Sequence, residues 1–137
     1  MERVEILISD AKLKRVGTRP TFQGDSDFNC RIVDGLPRRE PSIDFLEARS
    51  LNTYRLPDPA ILLMAARAGR ILVSHDRQTI PAHFDWFIAD KRSPGLIVVS
   101  QDLGIGEAVE ELLMIWACSA AEEWINVRRF VPLSGGG

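Results

Sequence analysis

The chain has 137 residues, 45% of them hydrophobic and 26% charged, and its formal net charge is −2. That length holds one domain with a core of its own, and the composition is that of an ordinary globular protein. The longest apolar runs are a handful of residues, far short of the ~20 that a membrane-spanning helix needs, and the mild negative charge (pI near 5.7) argues against a protein that coats nucleic acid through a basic surface.

In chain order, Met1-Glu2-Arg3 leads into a short run broken by Asp10, without a small-residue cleavage site, so no secretory leader is expected. Val4 to Ile8 reads as a strand ending in Ser9-Asp10. Lys12, Lys14, Arg15 and Arg19 then form a basic stretch closed by Pro20. Residues 1–20 are therefore an N-terminal extension or a first strand, and 21–133 the domain proper. Phe28, Ile32, Val33 and Leu36 fall at helical spacing, with Asp27 as a candidate N-cap and Pro37 as the stop. Ile43 to Ala48 reads as a short strand, and Ser50 to Pro57 as a polar loop.

Asp58-Pro59 opens the next helix with an acidic cap and Pro at the first helical position. Ile61, Leu62, Ala65 and Ala66 supply its buried stripe, and Gly69 its end. Ile71 to Ser74 reads as a buried strand running into His75-Asp76-Arg77. A helix is expected over Pro81 to Asp90, a second apolar strand over Leu96 to Val99, and a long helix over Ile105 to Cys118, with Ile105, Val109, Leu112 and Trp116 on one stripe. Ala120 to Trp124 adds a further turn, Arg129 to Leu133 reads as an edge strand, and 134–137 is expected as a disordered tail. Strands apolar throughout and alternating with helices imply a parallel sheet covered on both faces, hence a three-layer α/β/α sandwich of four or five strands. Cys30 and Cys118 form neither a zinc pattern nor a disulfide framework; both are expected as buried free thiols in a reducing cytoplasm.

Ligands of open α/β sheets bind just past the carboxyl ends of the strands. Asp25 (with Asp27), Asp58 and Asp76 all fall at strand ends or helix starts on that edge. Carboxylates grouped there suit Mg²⁺ or Mn²⁺. Asp27 and Asp58 are equally explained as helix caps, whereas a strand end gives no general structural reason for Asp76. His75, pointing away from Asp76 by strand alternation, reads as a packed histidine. Trp86, Trp116 and Trp124 lie on separate helical segments and read as core or subunit contacts. Neither a Gly-rich phosphate loop nor a nucleophile elbow is present.

The segments Asp25-Ser26-Asp27-Phe28-Asn29, Leu56-Pro57-Asp58-Pro59-Ala60-Ile61-Leu62 and Gly69-Arg70-Ile71-Leu72-Val73-Ser74-His75-Asp76-Arg77 resemble the PIN-like proteins of the DUF5615 type. That small bacterial family is often taken to supply toxin or nuclease components of toxin–antitoxin modules. Pro94 to Val99, Ile105-Gly106-Glu107-Ala108 and Glu122-Glu123-Trp124 also fit one branch of it, so the likeness runs over about residues 21 to 133. The resemblance implies a PIN fold and metal-dependent hydrolysis of RNA. By position, Asp25 matches the first aspartate, Asp58 the acid of the second helix and Asp76 the acid closing the following strand; Asp27 would supplement them. Two departures stand out. Thr18 to Gly24 contains a proline where the family has an apolar strand, which leaves Asp10 after Val4–Ile8 as the alternative to Asp25. A fourth carboxylate is not evident, since Asp85 and Asp102 lack positional support.

The leading expectation is thus a Mg²⁺- or Mn²⁺-dependent ribonuclease using Asp25, Asp58 and Asp76, with Arg77 steadying the phosphate. An antitoxin-like protein is the expected partner, and a homodimer through the late helix (Met114, Trp116) is a further expectation. The alternative is a catalytically silent PIN-like scaffold that binds a partner. A receiver-like domain phosphorylated on aspartate shares the sheet but would need a lysine after a late strand, and none is there.

Overall fold

The computed structural model describes residues 18–47 and 56–132. Val4 to Ile8, Asp10, the Ser50–Arg55 part of the polar loop and the glycine tail lie outside them. Five parallel strands form one sheet: β1 (Phe22–Gly24), β2 (Phe45–Leu46), β3 (Ile71–Ser74), β4 (Leu96–Val99) and β5 (Arg128–Val131), in the spatial order β2-β1-β3-β4-β5. Among the described residues four helices connect them, α1 (Cys30–Arg39), α2 (Asp58–Ala68), α3 (Thr79–Asp90) and α4 (Ile105–Cys118), with a 3₁₀ turn at Ala121–Trp124.

Alternation along the strands feeds two cores. Phe22, Ile71, Val73, Ile97, Val99 and Val131 face α1 and α4, joined by Ile32, Leu36, Val109 and Leu112. Leu72, Leu96 and Val98 face α2 and α3, where Ile61, Leu62, Phe84 and Phe87 close over them. Burial on both faces is why Ile71–Val73 and Leu96–Val99 are apolar at every position. The expected α/β/α sandwich is the observed architecture. One connection departs from the others: α4 covers the face opposite α3, although β5 extends the sheet in the same direction as β4. The last crossover is therefore opposite in hand to the one before it, a rare arrangement in parallel sheets.

Several local expectations are corrected. The proline-bearing stretch before Asp25 does hold a strand, because Pro20 lies outside the three-residue ladder and Phe22–Gly24 is fully buried between β2 and β3. Pro37 does not end α1 but sits inside its last turn, costing one hydrogen bond there while Glu40 N–H still reaches Leu36. The cap of α1 is Asn29, whose side chain accepts from Arg31 N–H at 2.9 Å, and not Asp27. Helix α3 begins at Thr79, two residues ahead of Pro81. Both cysteines are exposed, Cys30 at the start of α1 and Cys118 at the end of α4, so neither is a core thiol. Of the three tryptophans only Trp124 is core, while Trp86 is 72% exposed. Gly69 ends α2 as expected, with a positive φ of 71° that a side chain would strain. No helix among the described residues is long and apolar enough to cross a membrane.

Candidate functional site

In this sheet order the chain leaves β1 toward β2 on one side and returns to add β3 on the other. The crevice beyond the carboxyl ends of β1 and β3 is the point where strand order reverses, where open α/β sheets bind their ligands. Asp25 follows β1 directly and Asp76 lies two residues past β3. The start of α2 contributes Asp58, and the Ser26-Asp27 turn completes the rim. Asp25, Asp27, Asp58 and Asp76 all line one open cavity of about 400 Å³, together with His75 and Gln101. Of the two candidates for the first acid, Asp25 thus belongs to this edge, and Asp10 falls outside the described residues.

The four carboxylates are held differently. Asp25 is largely buried. Its Oδ2 accepts from the Ser74 hydroxyl at 2.5 Å and its Oδ1 from Asp27 N–H at 3.1 Å. Burial raises its pKa above the ordinary carboxylate value; the Ser74 and Asp27 hydrogen bonds and the nearby His75 counter this only in part, and the Asp27 charge adds to it. Asp76 is the reverse. Burial pushes it up, but the Thr79 hydroxyl and the backbone N–H groups of Gln78, Thr79 and Ile80 outweigh that and hold it below the usual range. Its Oδ1 accepts from Gln78 and Thr79 N–H, both at 2.8 Å, and its Oδ2 from the Thr79 hydroxyl. Asp76 therefore has a structural duty that its strand-end position did not announce: it caps α3. Asp58 is the first residue of α2 and makes no cap hydrogen bond. Asp58 and Asp27 are the uncommitted acids of the cavity.

Two residues beyond the aspartates organise the site. Ser74, fully buried, donates to Asp25 and accepts Asp76 N–H at 2.9 Å, so one hydroxyl links both acidic strand ends. It precedes Asp76 by two, and the period of a strand places i and i+2 on one face, so alternation was the signal that could have found it. His75 is packed, as expected. Its ring stacks on Phe28 with centroids 4.6 Å apart, Nδ1 meets the Val99 carbonyl at 2.8 Å, and Nε2 accepts from Asn29 N–H at 3.3 Å. These bonds define the tautomer with the proton on Nδ1. They also tie β3, β4 and the start of α1 together beneath the cavity floor.

The remaining expectations are not brought together. Arg77 is exposed and outside the cavity lining. His83 packs edge-on against Trp86, 5.5 Å away. Asp85 pairs with Arg128 at 2.8 Å, and Asp102 is exposed on the β4–α4 loop, so neither is a fourth acid of the cavity. A different acid lies closer: Glu47, just past β2, lines an adjoining cavity of about 390 Å³ with Asp25 and Asp27.

Among the described residues no trio of Asp, Glu, His or Cys is grouped tightly enough to chelate a metal directly. The expected three-carboxylate chelate of Asp25, Asp58 and Asp76 is thus not present in this arrangement, and the capping duty of Asp76 explains its part in that. Mg²⁺ retains several waters and asks for one or two carboxylates, which Asp25 with Asp27 or Asp58 can supply. No family model, curated protein or solved structure matches the chain. The likeness to PIN-like proteins accordingly rests on the residue segments that carry it.

Proposed function

We propose that the carboxyl-edge cavity is the site of a PIN-like, Mg²⁺- or Mn²⁺-dependent ribonuclease. The observation that carries this reading is the convergence of four aspartates from three separate chain segments on one cavity at the strand-order reversal. Neither Asp27 nor Asp58 makes a side-chain cap bond, since Asn29 caps α1 and none forms at the start of α2. In this reading Asp25, Asp27 and Asp58 hold the hydrated cation, and Asp76 braces the edge through α3. The cation, when bound, supplies a water of lowered pKa and charge stabilisation at a phosphoryl oxygen. Ser74 keeps the Asp25 carboxylate oriented. Asp25, poised by burial toward its neutral form, ionises more readily once a cation neutralises it. Arg77, exposed on the loop after Asp76, contributes a guanidinium for the phosphate backbone. An antitoxin-like partner and a cytoplasmic setting belong to the same proposal.

The test is cleavage of a single-stranded RNA by the full chain. Cleavage that requires Mn²⁺ or Mg²⁺, stops on chelation and is lost in Asp25→Asn is the expected result; undiminished cleavage by Asp25→Asn would overturn the assignment. One observation favours a second reading, a silent scaffold that binds a partner through this edge: the acids are spread around the cavity without a chelating trio. That reading predicts no cation-dependent cleavage by the parent protein.

A further inference from the structure

The opposite end of the sheet carries a second cavity, of about 410 Å³, between the end of α2, the α3–β4 turn and the 3₁₀ turn. Its wall is apolar at Ala66, Ile71, Pro94 and Ile125. Among the described residues charge enters only through Arg92 and Glu122. Arg39, Arg70 and Arg128 each hold a carboxylate of their own. By contrast, neither Arg92 nor Glu122 has an ion-pair or hydrogen-bond partner among the described residues.

Next to Arg92 in the lining is Ser93, a polar side chain only 3% exposed. Its Oγ accepts Gly95 N–H at 3.0 Å. No acceptor among the described residues takes its own hydroxyl hydrogen, which leaves that hydrogen available to a ligand. The walls are rigid. Ser93 N–H donates to the Asn126 side chain and Asn126 N–H to the Ser93 carbonyl, both at 2.8 Å. Gly95 adopts a φ of 127°, and a Cβ there would stand 2.7 Å from the Trp124 carbonyl oxygen, so the two turns are locked together.

We propose that this cavity binds a small zwitterion, an α-amino acid with an aliphatic side chain. The carboxylate meets the Arg92 guanidinium and the Ser93 hydroxyl, the ammonium meets Glu122, and the aliphatic chain lies on the apolar wall. One uncommitted cation and one uncommitted anion beside an apolar surface match a ligand with both charges better than a simple acid or amine. The fixed walls reduce the ordering cost of binding so small a molecule. The size falls within the range of small-molecule pockets, and the site is separate from the acidic edge.

The experiment is an amide-resolved NMR titration of the full ¹⁵N-labelled chain with L-leucine, isocaproate (no ammonium) and isoamylamine (no carboxylate). Leucine is expected to shift the Ser93, Gly95 and Ile125 amides with a Kd of about 1 mM, and each singly charged analogue to bind about tenfold more weakly. Arg92→Ala should weaken leucine by about tenfold and Glu122→Gln by severalfold. Both side chains are exposed, and unchanged amide positions elsewhere verify the fold. Absence of leucine shifts at about 10 mM, leucine binding unaltered in Arg92→Ala, or isocaproate binding as well as leucine would each overturn the proposal.

Discussion

Replacing Ser74 by Ala isolates the group that joins the two acidic strand ends. The hydroxyl is fully buried, donates to Asp25 Oδ2 at 2.5 Å and accepts Asp76 N–H at 2.9 Å. Its removal takes a charge-assisted donor from Asp25, worth about 1.5–3 kcal/mol, and strands a backbone N–H, worth about 1–3 kcal/mol. Asp25 borders an open cavity, so water recovers part of the first contribution, and a net loss of about 2–4 kcal/mol is expected. For a chain of this length that is about 3–4 °C in Tm for each kcal/mol. The loss should also depend on pH. The Ser74 bond favours the ionised carboxylate, so without it the already raised pKa of Asp25 rises further. The penalty is therefore full at neutral pH and shrinks as Asp25 protonates in acid. Urea unfolding of parent and Ser74→Ala at about pH 7 and about pH 4 reads both effects. A loss under about 0.5 kcal/mol at neutral pH, or a loss that grows in acid, would refute the hydroxyl's bridging role.

Gln23 in strand β1 is 1% exposed, and neither end of its amide finds a partner among the described residues. Gln23→Met should therefore stabilise the fold by about 1–2 kcal/mol in urea unfolding, where a packed, satisfied glutamine would give a loss. Asp76→Ala should cost about 1–2 kcal/mol through the lost cap of α3. The folded-state pKa of Asp76 is depressed, so its contribution is present above the ordinary value of 3.8 and fades as pH falls through the lowered one. The penalty should vanish in strong acid, and Asp76→Asn, itself a good cap, should keep most of the stability in the same unfolding series. Both cysteines should react with a thiol reagent in the native protein at the rate of exposed groups, read by absorbance; slow reaction of either would contradict its exposure.

The architecture was legible because helix and strand periods alternate cleanly from Asp58 onward, and because Leu96–Val99 and Ile71–Val73 are apolar at every position, the pattern of a doubly covered sheet. The acidic edge was legible for the same reason, since a strand end followed by Asp marks the crevice. What the residues concealed were duties that depend on long-range partners. The capping role of Asp76 depends on the Gln78 and Thr79 N–H groups, which precede the helix start that Pro81 suggests. Cys30 and Cys118 looked buried because they fall in helical segments, but each takes an exposed position at a helix end. Strand β1 was hidden by its brevity, with burial rather than pattern length holding it in the sheet.

The claim that the carboxyl-edge cavity takes a divalent cation is tested most directly by thermal melting with Mn²⁺, on the parent and on Asp25→Asn. At about 100 times Kd, a bound cation stabilises by about 2.7 kcal/mol, a rise of about 8–10 °C. The account predicts such a rise in the parent and none in Asp25→Asn, each measured against its own metal-free Tm. No rise in the parent at about 10 mM Mn²⁺, or an equal rise in Asp25→Asn, would contradict it.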